Sequence, residues 1–230
     1  MNHSGSKTAI NTLRTYCARL IHGSPTHLWL AGAAFAFLVF FRITRELIEG
    51  DVNGIDLRVL RTVTAWRTPS LTAAMVDVTA LGSVTIAVLF SAVAFLILIV
   101  LRNRLGALQL SLASIGAALL TIATKDMIER ARPAGAQSLI VVSGFSYPSG
   151  HSLGTCALYL TLAIIACRHV PYPRARTAIF ITASLLVLLV GASRIYLGVH
   201  YMTDVVSGIS LGATWALLLA AVFPQVRAKT

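Results

Sequence analysis

Six stretches of this chain run without a charged side chain for roughly the length of a membrane-spanning helix. They are residues 23–41 (19 residues), 78–101 (24), 105–124 (20), 152–167 (16), 177–193 (17) and 205–226 (22). A helix crossing a bilayer needs about 20 mostly apolar residues. The 152–167 window is short and borrows a turn from its flanks. Hydrophobic residues make up 57% of the chain and charged residues 12%, about half the charge of an ordinary soluble domain. Mean hydropathy is +0.79. The pattern predicts an all-α, integral-membrane protein: a six-span helical bundle in a single domain over 23–226, preceded by a cytoplasmic segment (1–22) and followed by a short cytoplasmic tail (227–230).

The formal net charge of +11 raises the possibility of a nucleic-acid partner, but the charges are sorted by face. With the N-terminus inside, one set of connectors carries Lys7, Arg14, Arg19, Arg102, Arg104, Arg168, Arg174, Arg176, Arg227 and Lys229 and no acid. All eight acids fall on the other side, beside nine cations. Connectors 102–104 and 168–176 are short and purely basic, the signature of cytoplasmic loops. Basicity therefore reports topology, with no nucleic-acid partner, both termini in the cytoplasm and the remaining connectors outside the cell membrane. Cys156 and Cys167 share one predicted helix, eleven residues apart. That is about 16 Å, too far for a disulfide. Cys17 is expected to be a free thiol. The first apolar stretch follows a long polar lead without a convincing cleavage site and reads as a retained span.

Residues 42–77 form the longest connector. Within it Ile55, Val59, Leu60, Val63 and Trp66 recur at helical spacing, with Asp56, Arg58, Arg61 and Arg67 between them. This is the pattern of a short helix in the membrane interface, or of a solvated helix packed on the spans.

Chemistry-bearing side chains collect in two outer connectors. In KDMIERARP, Lys125 and Arg132 are seven apart and could clamp a phosphate, the arginine by a fork and the lysine as a point charge. The alternative is that both reach for headgroups. Asp126, Glu129 and Arg130 are expected to be ordinary solvated charges. In YPSGHS, Ser149 and Gly150 precede a helix start, which presents free N–H groups to an anion. His151 can exchange a proton there near neutral pH. Simple capping by Ser149 or Ser152 is the alternative. In SRIYLGVHYMTD, His200 and Asp204 are i and i+4, so the carboxylate can hold one ring nitrogen and leave the other free. Arg194 adds a third cation. The alternative is a connector histidine beside a helix-start aspartate. Together the three pieces place three cations, two histidines, one acid and one helix start on one membrane face.

These stretches match, at every defining position, the three motifs of the type-2 phosphatidic acid phosphatase family: K-x6-RP, PSGH and SR-x5-H-x3-D. The layout resembles the integral-membrane bacterial branch, including undecaprenyl pyrophosphate and phosphatidylglycerol phosphate phosphatases. The first 80 residues match only in general form. The resemblance implies a two-step phosphate transfer with no metal and no cofactor. His200 would attack phosphorus, Asp204 would orient it, and His151 would protonate the leaving group and then activate water. Lys125, Arg132, Arg194, Ser149 and Gly150 would hold the phosphate oxygens. The implied partner is a membrane lipid phosphate: undecaprenyl pyrophosphate, favoured by family expectation, or phosphatidate, or phosphatidylglycerol phosphate. A lipid-linked phosphotransferase using the same intermediate is a second reading. A non-catalytic membrane transporter is a third, which two histidines with an orienting acid argue against.

Overall fold

The computed structural model describes residues 26–133 and 138–223; both predicted cytoplasmic ends and Cys17 lie outside the described residues. Among the described residues eight helices follow one another: α1 (Thr26–Glu49), α2 (Asn53–Thr64), α3 (Pro69–Ala80), α4 (Val84–Val100), α5 (Arg104–Ile128), α6 (Gly150–His169), α7 (Pro173–Tyr196) and α8 (Met202–Val222). No strand occurs among the described residues. Five helices, α1, α5, α6, α7 and α8, are long and apolar enough to cross a membrane. A sixth span results if α3 and α4, bent by 45° at a short break, are taken together.

Local sequence sets the starts. Thr68 accepts the Leu71 N–H ahead of Pro69 at the first helical position, Ser83 accepts that of Ile86, and Asn103 that of Gly106. Each side chain satisfies one of the amides a helix start leaves unpaired. α5 ends where Glu129 turns left-handed, at φ 49°. α1 runs eight residues past Phe41, where the sequence suggests a connector. Its charged last turns are held by the i, i+4 pairs Arg42–Glu46 and Arg45–Glu49, which keep a helix going after the apolar run ends. The second span also departs from expectation. Its 24 uncharged residues are not one rod: the chain breaks at Leu81, Gly82 and Ser83.

α8 packs between α1 and α6, and α6 is the most buried span. The α6–α8 contact is backbone on backbone. A Cβ on Gly208 would stand 2.6 Å from the Ser149 carbonyl oxygen, and one on Gly212 2.5 Å from that of Leu153. This G-x-x-x-G spacing is the small-residue solution to packing where lipid offers no hydrophobic driving force. The outward faces stay apolar, with Phe35, Val84, Val88, Leu101 and Leu119 exposed. Cys156 and Cys167 are free.

Candidate active site

The ends of α5 and α7 and the starts of α6 and α8 meet at one end of the bundle, and the sequence-expected side chains meet there with them. His200 precedes α8 by two residues and is 2% exposed. Its Nε2 lies 3.2 Å from Arg132 Nη1. A guanidinium can only donate, so Nε2 carries the lone pair and the ring proton sits on Nδ1. Nδ1 faces Asp204 Oδ2 at 3.4 Å, without the alignment of a formed hydrogen bond. Burial holds the His200 ring well below its ordinary value, at about 4, against the opposing pull of Asp204. The imidazole is therefore neutral at physiological pH.

Asp204 is fully buried and densely held. Arg130 Nη1 donates to Oδ1 at 2.6 Å, while the Tyr201 N–H (2.9 Å) and the Ser146 hydroxyl donate to Oδ2. The helical spacing of His200 and Asp204 is thus achieved without a helix at His200. Tyr201 caps α8, and Asp204, three residues on, takes the cap's own amide.

On the far side of the ring stand the cations. Arg132 lies on the loop after α5, not on the helix as an extended α5 would place it. Three carbonyls fix its guanidinium: Gly144 and Val199 at 2.9 Å and Ser143 at 3.2 Å. Arg194, on the last turn of α7, is 2% exposed and donates to Thr79 Oγ1 at 2.8 Å; its Nε has no partner among the described residues. Lys125 Nζ donates to the Phe145 carbonyl. None of the three has a carboxylate within ion-pair distance among the described residues. His151, on the first turn of α6, lies within electrostatic range of Arg194, His200, Arg132 and Lys125. Gly82, at the break between α3 and α4, packs against it: a Cβ there would come 3.4 Å from the His151 ring and 2.5 Å from Val190.

Ser149 caps α6, its hydroxyl accepting from the Ser152 amide at 3.4 Å and the Ser152 hydroxyl at 3.0 Å. Capping leaves its own O–H to donate. The Gly150 N–H is among the first-turn amides that a helix leaves open. All eight expected site residues therefore converge on one end of the bundle.

Arg130 corrects an expectation. It is not a solvated charge: its side chain is 9% exposed and bridges Asp204 to Asp56, lying 4.2 Å over the Tyr201 ring. Asp126 and Glu129 are exposed, as expected. Asp56 is likewise buried, at 1%. The available signal was register: Asp56 shares its helix face with Leu60 and Val63, at i+4 and i+7, and so points inward with them. Thr79 and Gly82 carry no comparable signal, since the stretch TALGS (79–83) contains no charge.

The comparisons fit this geometry. The model of the PAP2 superfamily matches residues 106–228, which contain all three motifs, and the chain belongs to that family. Phosphatidylglycerophosphatase B of Bacillus subtilis is 32% identical over 177 residues, 76% of this chain and 87% of that protein. A lipid A 1-phosphatase of Rhizobium johnstonii is 34% identical over 110 residues, covering 44% of this chain and 41% of its own length. The crystal structure of a transmembrane PAP2 type phosphatidylglycerolphosphate phosphatase from Bacillus subtilis matches with a TM-score of 0.77 at 30% identity, over 81% of this chain and 93% of that one. That of Aquifex aeolicus LpxE matches with a TM-score of 0.56 at 25% identity, over 73% and 93%. The chain is a multi-pass membrane protein and a phosphoric ester hydrolase.

Proposed function

We propose that this protein removes phosphate from a membrane lipid in two steps through a phosphohistidine on His200. The observation that carries the reading is the polarity of the His200 ring: the Nε2 lone pair faces Arg132 and Nδ1 faces Asp204. In the first step, with His151 protonated once the phosphate dianion is bound among the same cations, Nε2 attacks phosphorus, the P–O bond to the lipid breaks, and His151 gives that proton to the departing oxygen. In the second, His151 takes a proton from water, water attacks phosphorus, and the P–N bond breaks. Asp204 compensates the positive charge that develops on the ring. Lys125, Arg132 and Arg194, with the Ser149 hydroxyl and Gly150 N–H, hold the non-bridging oxygens. Phosphoryl transfer is mostly positioning and charge stabilisation, and these donors supply both without a metal ion.

The names of the relatives support phosphomonoesters of lipids, so phosphatidylglycerol phosphate and phosphatidate are the first substrates to test, ahead of the pyrophosphate of undecaprenol. The short basic connectors at the opposite end of the bundle support a cytoplasmic placement for that end, and hence an outward-facing site at the cell membrane with both termini inside. A topology reporter at residues 102–104 against one at Ser143 tests this; Ser143 inside would reverse it.

Phosphate release from the three lipids, measured on detergent-purified protein with EDTA present, tests the chemistry together with alkaline trapping of labelled enzyme. Release and trapping are both expected, and both are expected to vanish in His200→Ala. Release that survives His200→Ala removes the nucleophile. Release abolished by EDTA removes the metal-free scheme.

A further inference from the structure

α2 lies outside the three motifs, yet its Asp56 reaches the site. Asp56 Oδ1 accepts the Thr203 N–H at 3.0 Å, and Oδ2 accepts the Thr203 hydroxyl at 2.5 Å and Arg130 Nη2 at 2.7 Å. Thr203 is the second residue of α8, so Asp56 caps from another helix the very turn that carries Asp204. Arg130 Nη1 spans the remaining gap, to Thr203 Oγ1 at 2.8 Å and to Asp204 Oδ1 at 2.6 Å. One guanidinium thus serves two buried carboxylates.

Charge decides what this arrangement does. A lone Arg130 would neutralise Asp204 and weaken its hold on the His200 ring. Asp56 draws on the same guanidinium, so the Asp56–Arg130–Asp204 chain keeps one net negative charge. That charge faces Nδ1, where the ring turns cationic as Nε2 is phosphorylated. We propose that Asp56 and Arg130 are positioning residues for the nucleophile: Arg130 aims the Asp204 carboxylate, and Asp56 keeps that carboxylate from being neutralised by the arginine that aims it. This rests on the reading of His200 as nucleophile.

The groups facing His200 are Asp204 from α8, Arg132 from the loop after α5, Arg194 from α7 and His151 from α6. Tyr201 and Tyr147 flank the carboxylate side. Against that constant background the two substitutions have opposite signs. Asp56→Asn removes a negative charge, makes protonation of His200 harder, and moves the acid limb of kcat/KM to lower pH. Arg130→Gln removes a positive charge and moves it to higher pH. Each shift is expected to be roughly one pH unit, with kcat down about tenfold for each and KM little changed. The double variant is expected to bring the limb back towards the wild-type position. A purely structural role for the pair predicts lost activity or lower thermal stability with an unmoved limb.

The measurement is the pH profile of kcat/KM for phosphatidate on the full-length protein in detergent, with thermal unfolding followed in parallel. Limbs that stay in place, or that move the same way in both single variants, overturn the inference. If Asp56→Asn does not fold, Asp56→Glu serves: it keeps the charge, so kcat falls with the limb unmoved, and a moved limb overturns the inference. Activity retained in His200→Ala overturns the underlying reading and this one with it. An inactive His200→Ala beside unmoved limbs overturns this one alone.

Discussion

The two nitrogens of the His200 ring look out on opposite surroundings. Around Nδ1 the protein has closed its own electrostatics: Asp204 is held by Arg130, Ser146 and the Tyr201 amide, and Arg130 is held by Asp56. Around Nε2 it has left them open. Arg132, Arg194 and Lys125 meet carbonyls, a hydroxyl and the His200 ring itself, and no carboxylate within ion-pair distance among the described residues. Isolated buried charge is costly, and desolvated cations at a membrane boundary are the mark of a functional site. On the proposed reading, the difference separates the arginines that would work on substrate from the one that works on structure. Arg130 and Arg132 are two residues apart, yet one balances two acids and the other meets none among the described residues.

Substitutions can break this contrast in graded steps. Removing the ring is expected to cost most. His200→Ala should lower kcat by roughly 10⁴-fold or more, as loss of a nucleophile does elsewhere, read as phosphate release from a lipid monophosphate. On the closed side, Asp204→Asn keeps the shape but loses the charge that orients the ring, with an expected loss of about 10³- to 10⁴-fold. On the open side, Arg194→Ala is expected to lower kcat about 10²- to 10³-fold. Arg194→Lys should recover only part of that, since an ammonium cannot form the fork; full recovery would show that charge alone matters there.

The scaffold can be tested separately from the chemistry. Gly208→Ala pushes a methyl group into the Ser149 carbonyl, prying α8 from α6 and so His200 from the helix start proposed to hold phosphate. Overpacking of this kind costs about 1–3 kcal/mol, visible as a lower Tm, with activity falling alongside. An unchanged Tm would mean that the two helices have slack. The mildest effect concerns pH. Because burial holds His200 at about 4, kcat/KM should keep its nucleophile down to that pH, apart from the ionisation of the substrate itself. The same depression has a stability consequence of definite sign. The unfolded ring takes up a proton near its ordinary value of about 6.5, the folded one only near 4, so this contribution to stability is intact above about 6.5 and is lost as pH falls from there to about 4. A flat unfolding profile through that range would contradict it.

Much of this was legible in the sequence, for identifiable reasons. Uncharged runs of helical length reveal spans because lipid tolerates little else, and the three motifs point to the candidate site because their residue types are costly at a membrane edge. What stayed hidden depends on partners far along the chain. Asp56 and Arg130 are 74 residues apart, and each sits in a locally charged stretch where a water-facing role is the simplest reading. Only the shared face of Asp56, Leu60 and Val63 hinted otherwise. The break at Gly82 was hidden for the opposite reason: Leu81, Gly82 and Ser83 interrupt a helix with neutral residues that leave an apolar window intact. The extension of α1 to Glu49 was masked by its charges, which pair along the helix instead of ending it.

The three carbonyls around Arg132 have a consequence for turnover. They hold the guanidinium plane in place without cancelling its charge, so a pocket with the proposed role would be as ready for inorganic phosphate as for the phosphate of a lipid. Product released into a confined space would compete for the same donors. Accumulating phosphate should therefore inhibit competitively, and the working rate of the protein would then depend on how quickly its surroundings carry phosphate away.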